Sequence, residues 1–300
     1  MELRQLEYFV AVAEEANFTR AAERVHISQS GVSAQLRQLE RELGAALIDR
    51  SGRTATLTTA GAAALVHARA ALAAADAVRQ AVDEVNGLVR GRLTVGMVIG
   101  CTITPLFDAL SAFHRAHPGI ELSLVEGNSD RLVEGVRAGA LDLALIGAAD
   151  GPPAGLGALP IITERLVAVV PEGHPLLESP VTTLAEVAAH PLVCMPEGTG
   201  VRTVLDRACA ALAVRPAIAL QASAADAAAD LALRGLGVAI LSESMAERYA
   251  DRLRALVIDD VETSAVLALV WAASPGPALR ELVVRCREAF RPAGDLVRLG

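Results

Sequence analysis

The stretch Asn17 to Arg53, NFTRAAERVHISQSGVSAQLRQLERELGAALIDRSGR, constrains this chain more than any other. It reads as two short helices, a tight turn and a basic segment. The first helix spans Arg20 to His26. Asn17 or Thr19 caps it, offering a side-chain oxygen to an orphan backbone N–H. Ala21, Ala22 and Val25 give that helix a small apolar face, which lets a second helix approach closely. Ile27 plugs the turn. Ser28 is a good cap for a second helix over Gln29 to Leu43, and Gly44 ends it as the glycine just past the last turn. Val32, Leu36, Leu39 and Leu43 recur at i, i+4, i+7 and i+11, so one stripe is expected in a core. Gln29, Ser30, Ser33, Gln35 and Arg37 are left at or near the outer face.

Two helices joined by a short turn, the second with Gln, Ser and Arg near its start, suit a helix-turn-helix. The second helix of that motif enters the major groove N-terminal end first. There Gln bonds adenine, Arg bonds guanine, and Ser bonds several acceptors or a phosphate. An ordinary pair of surface helices carries similar polarity, so the polar face alone leaves both readings open.

A longer string separates them. Residues Leu3 to Gly61, with LRQLEYFVAVAEEANFTRAAERVHISQSGVSAQLRQLERELG and then LIDRSGRTATLTTAG, resemble without a gap the DNA-binding domain of LysR-type transcriptional regulators. The resemblance implies double-stranded promoter DNA as a partner. The DNA-contacting candidates are Arg20, Ser28, Gln29, Ser30, Ser33, Arg37, Arg50 and Arg53. Some positions depart from the family pattern. Ser30 replaces a common proline, and Gly31 stands where alanine or serine is usual, at a cost of about 1 kcal/mol relative to Ala inside a helix. Ala34 is small where many members carry a polar or basic side chain, and Ile48 replaces phenylalanine. These changes bear on which base pairs are read.

Composition limits the alternatives. Three hundred residues suggest about two domains. Hydrophobic content of 53% allows large cores, yet it comes mainly from alanine, and no run approaches an uncharged membrane span. The start, MELRQLEYF, lacks a basic n-region and an apolar h-region, so the expectation is a cytoplasmic protein with no membrane partner. Lysine is absent, and all 27 basic residues are arginine. The net charge of −8 argues against indiscriminate polyanion binding by the whole molecule. Thr19 to Arg53 nonetheless holds six Arg against four acids, a local +2, and phosphates need positive charge only where they approach. Cys101, Cys194, Cys209 and Cys286 are scattered, with no C-x-x-C or Cys/His metal spacing, so they read as reduced thiols.

Taken in order, Leu3 to Ala16 is an amphipathic helix with Leu3, Leu6, Phe9, Val10 and Ala13 on one face. It packs beneath the helix-turn-helix, with Tyr8, Phe9 and Phe18 as core rather than base-stacking residues. Ala46 to Thr58 reads as a β-wing turning at Ser51-Gly52. Arg50 and Arg53 flank that turn, placed for backbone phosphates or a narrow minor groove. Thr59 to Leu88 is a long alanine-rich helix. Leu65, Ala68, Leu72, Ala75, Val82 and Val85 fall on a heptad-like seam that one helix cannot bury alone. It reads as a pairing helix between subunits, as in the family it resembles, giving a homodimer or homotetramer. Asn86-Gly87 and Gly91 close the helix as a hinge.

From Arg92 the pattern becomes alternating strands and helices, RLTVGMV, IELSLVE and LDLALIG with helices between, hence a parallel sheet. A second set follows: RLVAVV, PLVCM, a helix from Val201 to Leu212, AIALQ, a helix from Ala224 to Arg234 capped by Ser223, and GVAIL. The strand AVLALVW and a helix after Pro277 return to the first lobe. Gly139 to Gly147, EGHPL at Glu172 to Leu176, and the turn Arg234-Gly235-Leu236-Gly237 resemble the effector domain of LysR-type regulators, itself similar to periplasmic binding proteins. The expected fold class is therefore α/β with three parts. Residues 1–58 form a winged helix-turn-helix, 59–90 a linker and dimerisation helix, and 91–300 a two-lobed effector domain. Lobe I takes about 91–161 and 267–300, and lobe II about 162–266.

Ligands in such sheets sit beyond the carboxyl ends of strands. The loops there, VIGCTIT and PEGTGVR among them, run into helix N-termini, whose free N–H groups favour carboxylate or phosphate. By family position the effector candidates are Cys101, Thr102, Thr104, Thr199, Gly200, Arg202 and Ser223, with Arg202 as a bidentate grip on an anion. The expected effector is a small organic acid. No nucleophile, base and orienting group appear as a set, and His67, His114, His117, His174 and His190 show no metal spacing. No cofactor, metal or enzymatic activity is expected. Two alternatives remain: a thiol-based redox regulator using Cys101, or Cys194 with Cys209, and a non-DNA-binding protein that keeps the lobes for small-molecule binding.

Overall fold

The computed structural model describes residues 1–52, 54–85, 91–100 and 103–290, with the side chains of 76, 77 and 79–85 outside the description. Two compact units result, one built on Met1–Val89 and the other on Arg90–Val136 and Leu141–Gly300.

The first unit opens with α1 (Leu3–Glu15), closed at its start by a Glu2/Gln5 capping box. α2 (Phe18–Arg24) begins two residues before the expected Arg20 because Asn17 is the cap. Its Oδ1 accepts from Thr19 N at 2.8 Å and Arg20 N at 3.1 Å. His26, at φ 56°, turns the chain into α3 (Gln29–Leu43). Ser28 Oγ accepts from Gly31 N at 3.1 Å, and Gly44 ends the helix at φ 71°. Phe9, Val12, Ala21, Ala22, Val32, Leu36 and Leu39 form the core between these helices. Burying a large apolar side chain of this kind contributes about 1.5–3 kcal/mol. Leu3 and Leu43, expected on the buried stripes, are each 46% exposed. They sit at opposite helix ends, beyond the reach of the three-helix core. Tyr8 and Phe18 are half-buried against it.

The wing is β1 (Ile48–Asp49) antiparallel to β2 (Thr56–Leu57). α4 (Thr59–Val85) follows directly. Thr58 Oγ1 accepts from Gly61 N at 2.9 Å and donates to Ala46 O at 2.7 Å. A Cβ on Gly61 would lie 2.0 Å from Leu47 O, so only glycine lets α4 leave the wing this closely. Half of the expected pairing seam is used inside this unit. Ala68 is buried, and Leu65 and Leu72 pack against the same core. The row facing solvent is instead Ala63, Val66, Ala70, Ala74 and Val78, with Val78 66% exposed. Val82 and Val85 fall among the undescribed side chains, and residues 86–90, including the expected Asn86-Gly87 hinge, lie outside the described residues.

The second unit holds two five-stranded sheets. The first has the order β4-β3-β5-β12-β6, built from β3 (Gly91–Val98), β4 (Ile120–Gly127), β5 (Leu143–Ala149), β6 (Leu156–Glu164) and β12 (Ala265–Ala272). The second has the order β11-β7-β10-β8-β9, built from β7 (Leu166–Pro171), β8 (Leu192–Cys194), β9 (Ile218–Gln221), β10 (Val238–Ser242) and β11 (Leu253–Val257). α5 (Thr104–Ala116), α6 (Ser129–Arg137) and α11 (Pro277–Ala289) cover the first sheet. α7 (Leu184–Ala188), α8 (Gly200–Ala211), α9 (Ala225–Leu233) and α10 (Glu243–Glu247) surround the second.

The sheets are mixed rather than parallel throughout. β3, β4 and β5 run parallel, but β12 is antiparallel to both β5 and β6. In the second sheet β8, β9 and β10 are parallel, and β7 pairs antiparallel with β10 and β11. The chain leaves the first sheet after Glu164, enters the second at Leu166, and returns between Val257 and Ala265. β6 and β11, which the strand pattern did not announce, are both edge strands. β6 carries Pro160, which an edge tolerates and a central strand does not. Leu166 to Val170 and Val238 to Leu241 are continuously buried, as central strands require.

Candidate functional site

On α3, Gln29, Ser33 and Arg37 stand four residues apart and so share a face. Gln29, Ser30 and Arg37 are exposed, and Ser33 is half-buried. Arg37 Nη1 donates to Ser33 Oγ at 3.1 Å, which holds the guanidinium along the helix without neutralising it. Ser30 Oγ lies 3.1 Å from Ser28 Oγ, so both hydroxyls gather at the first turn. Arg20 pairs with Glu15 at 3.4 Å and also donates to Glu15 O, and its side chain stays 63% exposed. Gln35 accepts instead from Gln5 of α1 at 3.4 Å.

The wing is tied to α3 by one carboxylate that the sequence reading passed over. Glu40 Oε1 accepts from Leu47 N at 2.9 Å and Ile48 N at 3.2 Å, and Oε2 accepts from Arg50 Nη2 at 2.7 Å. The Arg50 guanidinium also lies over the Phe18 ring, 5.2 Å from its centroid. At the wing tip Asp49 Oδ1 accepts from Ser51 N at 2.8 Å, and that bond holds the carboxyl below its ordinary pKa. Arg53 lies outside the described residues.

In the second unit a cavity of about 1070 Å³ opens where the carboxyl ends of both sheets' strands meet. Asn128, Ser129 and Gly147 come from the first sheet's side, and Thr199, Gly200 and Ser223 from the second. Ser129 Oγ accepts from Gly147 N at 3.0 Å. A Cβ on Gly200 would lie 2.5 Å from the Gly147 carbonyl carbon, so the start of α8 meets the end of β5 backbone to backbone. Thr199 caps α8 by position only. Its Oγ1 donates to Pro196 O at 2.8 Å and accepts no helix N–H. Ser223 is likewise not a cap, since α9 begins after Ala224 with no side-chain cap bond. Among the described residues, neither N-cap side chain bonds a first-turn amide of α8 or α9. Ser242, Ser244 and Glu164 also line the cavity, and Glu164 Oε2 accepts from Ser244 N at 3.2 Å and Oγ at 2.9 Å.

Four effector candidates need correction or fall away. Arg202 is 7% exposed and does not line the cavity. Its Nε donates to Asp206 at 2.8 Å and Nη1 to Met195 O at 3.4 Å, so the guanidinium is consumed inside its own lobe and cannot clamp an anion. The i, i+4 spacing to Asp206 was the signal for this. Thr104 is exposed on the first turn of α5, while its neighbours Ile103 and Pro105 reach the cavity. Cys101 and Thr102 lie outside the described residues.

Cys194, Cys209 and Cys286 are buried and unpaired. Burial pushes the Cys194 thiol up to about 11 and the Cys286 thiol up to about 12, and raises Cys209 as well. Such thiols hold almost no thiolate near neutrality. Among the described residues no three His, Cys, Asp or Glu side chains gather to hold a metal. No helix among them is long and apolar enough to cross a membrane.

Comparison with known proteins agrees with both units. Residues 3–62 match the family described as bacterial regulatory helix-turn-helix protein, lysR family, and residues 86–291 match the LysR substrate binding domain. An uncharacterised HTH-type transcriptional regulator, YnfL of Escherichia coli K12, is 32% identical over 97% of this chain and 99% of its own. A full-length OxyR variant from Pseudomonas aeruginosa superposes with a TM-score of 0.72 at 26% identity, covering 97% of this chain and 95% of that one. Full-length CbnR complexed with its target DNA gives a TM-score of 0.57 at 27% identity, covering 96% and 100%.

Proposed function

The chain belongs to the LysR family of bacterial helix-turn-helix transcriptional regulators, and on that premise we propose that it reads promoter DNA through the N-terminal half of α3 while an organic acid in the cavity sets its activity. It is a regulator, not an enzyme. The observation that carries the DNA reading is the row Gln29, Ser33 and Arg37, which no part of the fold's core uses. Gln29 and Arg37 take base edges in the major groove, Ser28, Ser30 and Ser33 take phosphate or base acceptors, and Arg20, Arg50 and Arg53 take backbone phosphates. A dimer, or a tetramer built as a pair of dimers, sets two such helices on half-sites about one helical turn apart. The exposed row Ala63, Val66, Ala70, Ala74 and Val78 supports pairing through α4, since small side chains let two helices approach closely. This reading places the protein in the cytoplasm, where its DNA is.

The acid reading rests on Thr199, Gly200 and Ser223 at the uncapped starts of α8 and α9, whose N–H groups stabilise negative charge. Bound acid shifts activity only by differential affinity for two arrangements of the regulator. A thermal-shift screen of small carboxylates against their methyl esters tests this. The acids raise the melting temperature and the esters do not, whereas equal shifts from esters contradict an anionic effector. Gel shifts on the DNA upstream of the protein's own coding sequence test the DNA reading. Gln29→Ala and Arg37→Ala each lose about 1–3 kcal/mol of sequence preference. Thiol sensing gains no support from Cys194 or Cys209, both buried with raised pKa values.

A further inference from the structure

We propose that Glu40 is a positioning residue for DNA binding, holding the Arg50 guanidinium in the geometry in which it meets a backbone phosphate. The inference rests on the DNA-binding reading above and goes beyond it, because Glu40 itself touches no DNA.

The geometry is specific. Glu40 lies in the C-terminal half of α3, and its side chain is only 13% exposed. One carboxylate oxygen is spent on two wing amides, Leu47 N and Ile48 N, and the other on Arg50 Nη2. Phe18 at the start of α2 supplies a second surface, with the guanidinium carbon 5.2 Å from the ring centroid. Arg50 is therefore fixed from two directions by side chains of α2 and α3. Its Nε and Nη1 make no hydrogen bond or ion pair to the described residues. An arginine with one edge held and donors to spare is preorganised for a phosphate, because its fork is rigid and its rotamer freedom is already lost. A free arginine at the same place would lose that freedom on binding.

The opposite outcome is physically reasonable and decides the matter. If Glu40 only neutralised Arg50, removing its charge would tighten DNA binding by unmasking a cation. Positioning predicts weaker binding instead. Glu40→Gln separates the two roles, since its amide oxygen still accepts from the wing amides while its NH2 cannot hold a guanidinium.

The test is a titration of the full chain with a labelled random-sequence duplex at low salt, read by fluorescence anisotropy. Such a probe reports backbone contacts alone. Wild-type protein that fails to bind it with salt-dependent affinity sinks the DNA reading itself. Given wild-type binding, Glu40→Gln is expected to bind about tenfold more weakly, the scale of one charge-assisted hydrogen bond. Its salt slope falls by about one, and its thermal midpoint stays near that of the wild type. Arg50→Ala weakens binding as much, and Glu40→Gln adds nothing in the Arg50→Ala background. Equal or tighter binding by Glu40→Gln overturns the proposal, as does an undiminished effect without Arg50. Should Glu40→Gln melt, Arg50→Lys serves, because it keeps the charge and Glu40's grip on the wing amides but lacks the fork. Wild-type affinity in Arg50→Lys overturns the proposal equally.

Discussion

Replacing Gly61 with alanine puts a methyl group 2.0 Å from the Leu47 carbonyl oxygen and 2.9 Å from its carbon. Neither atom belongs to a flexible side chain, so α4 or the wing must move. Overpacking of this kind costs about 1–3 kcal/mol, and for a unit of this size the midpoint falls by roughly 4 °C or more. Calorimetry of Gly61→Ala checks this, and an unchanged midpoint contradicts the close approach. Cys194 offers a chemical check. With its thiol pushed up to about 11 by burial, it resists alkylation at neutral pH in the native protein and reacts after unfolding. Mass spectrometry after iodoacetamide treatment decides between that and a reactive sensor thiol. His174 gives a pH signature. Burial first, and the neighbouring His190 second, lower its pKa below the ordinary 6.5. The unfolded chain then binds more protons than the native one in the window just below pH 6.5. This contribution to stability is complete above that pH and is lost as pH falls through the folded pKa. His174→Gln flattens the pH dependence of the melting temperature in that window.

At the scale of elements, α1, α3 and the central strands were legible because each is announced by a single dominant signal. Ser28 and Gly44 bracket α3, and the runs Leu166 to Val170 and Val238 to Leu241 have no exposed face to interrupt them. β6 and β11 were not legible, since an edge strand has one side unpaired and needs neither clean alternation nor freedom from proline. The α4 seam was half legible. A heptad shows that a stripe is apolar but not which neighbour covers it, and Leu65, Ala68 and Leu72 are covered by the unit's own core. The outward row therefore carries the dimer prediction. Ala70→Glu and Val78→Glu, on that row, are expected to shift the protein towards monomer by sedimentation velocity, whereas Ala68→Glu instead destabilises the fold. The site divides in the same way. Gln29, Ser33 and Arg37 could be read from helical spacing, and so could the i, i+4 pair of Arg202 with Asp206, whereas the burial of Arg202 against Met195 O is set by the fold. The wing anchor at Glu40 links residues ten apart, beyond any local pattern.

The whole molecule carries a helix-turn-helix unit and a two-sheet unit with a cavity of about 1070 Å³ at its strand ends. Gly147 and Gly200 bring the two sheets' elements together beside that cavity. Gly200→Ala forces α8 from β5, and effector-induced thermal shifts are expected to shrink or vanish while DNA affinity without effector persists. The central claim is that paired copies of this chain read base sequence through α3. Its most direct test is an anisotropy titration, at moderate salt, of the full chain against its upstream duplex and a scrambled duplex of equal composition. The upstream duplex is expected to bind at least about a thousandfold tighter and to saturate with an even number of chains. Equal affinity for both duplexes, or saturation at one chain per duplex, contradicts it.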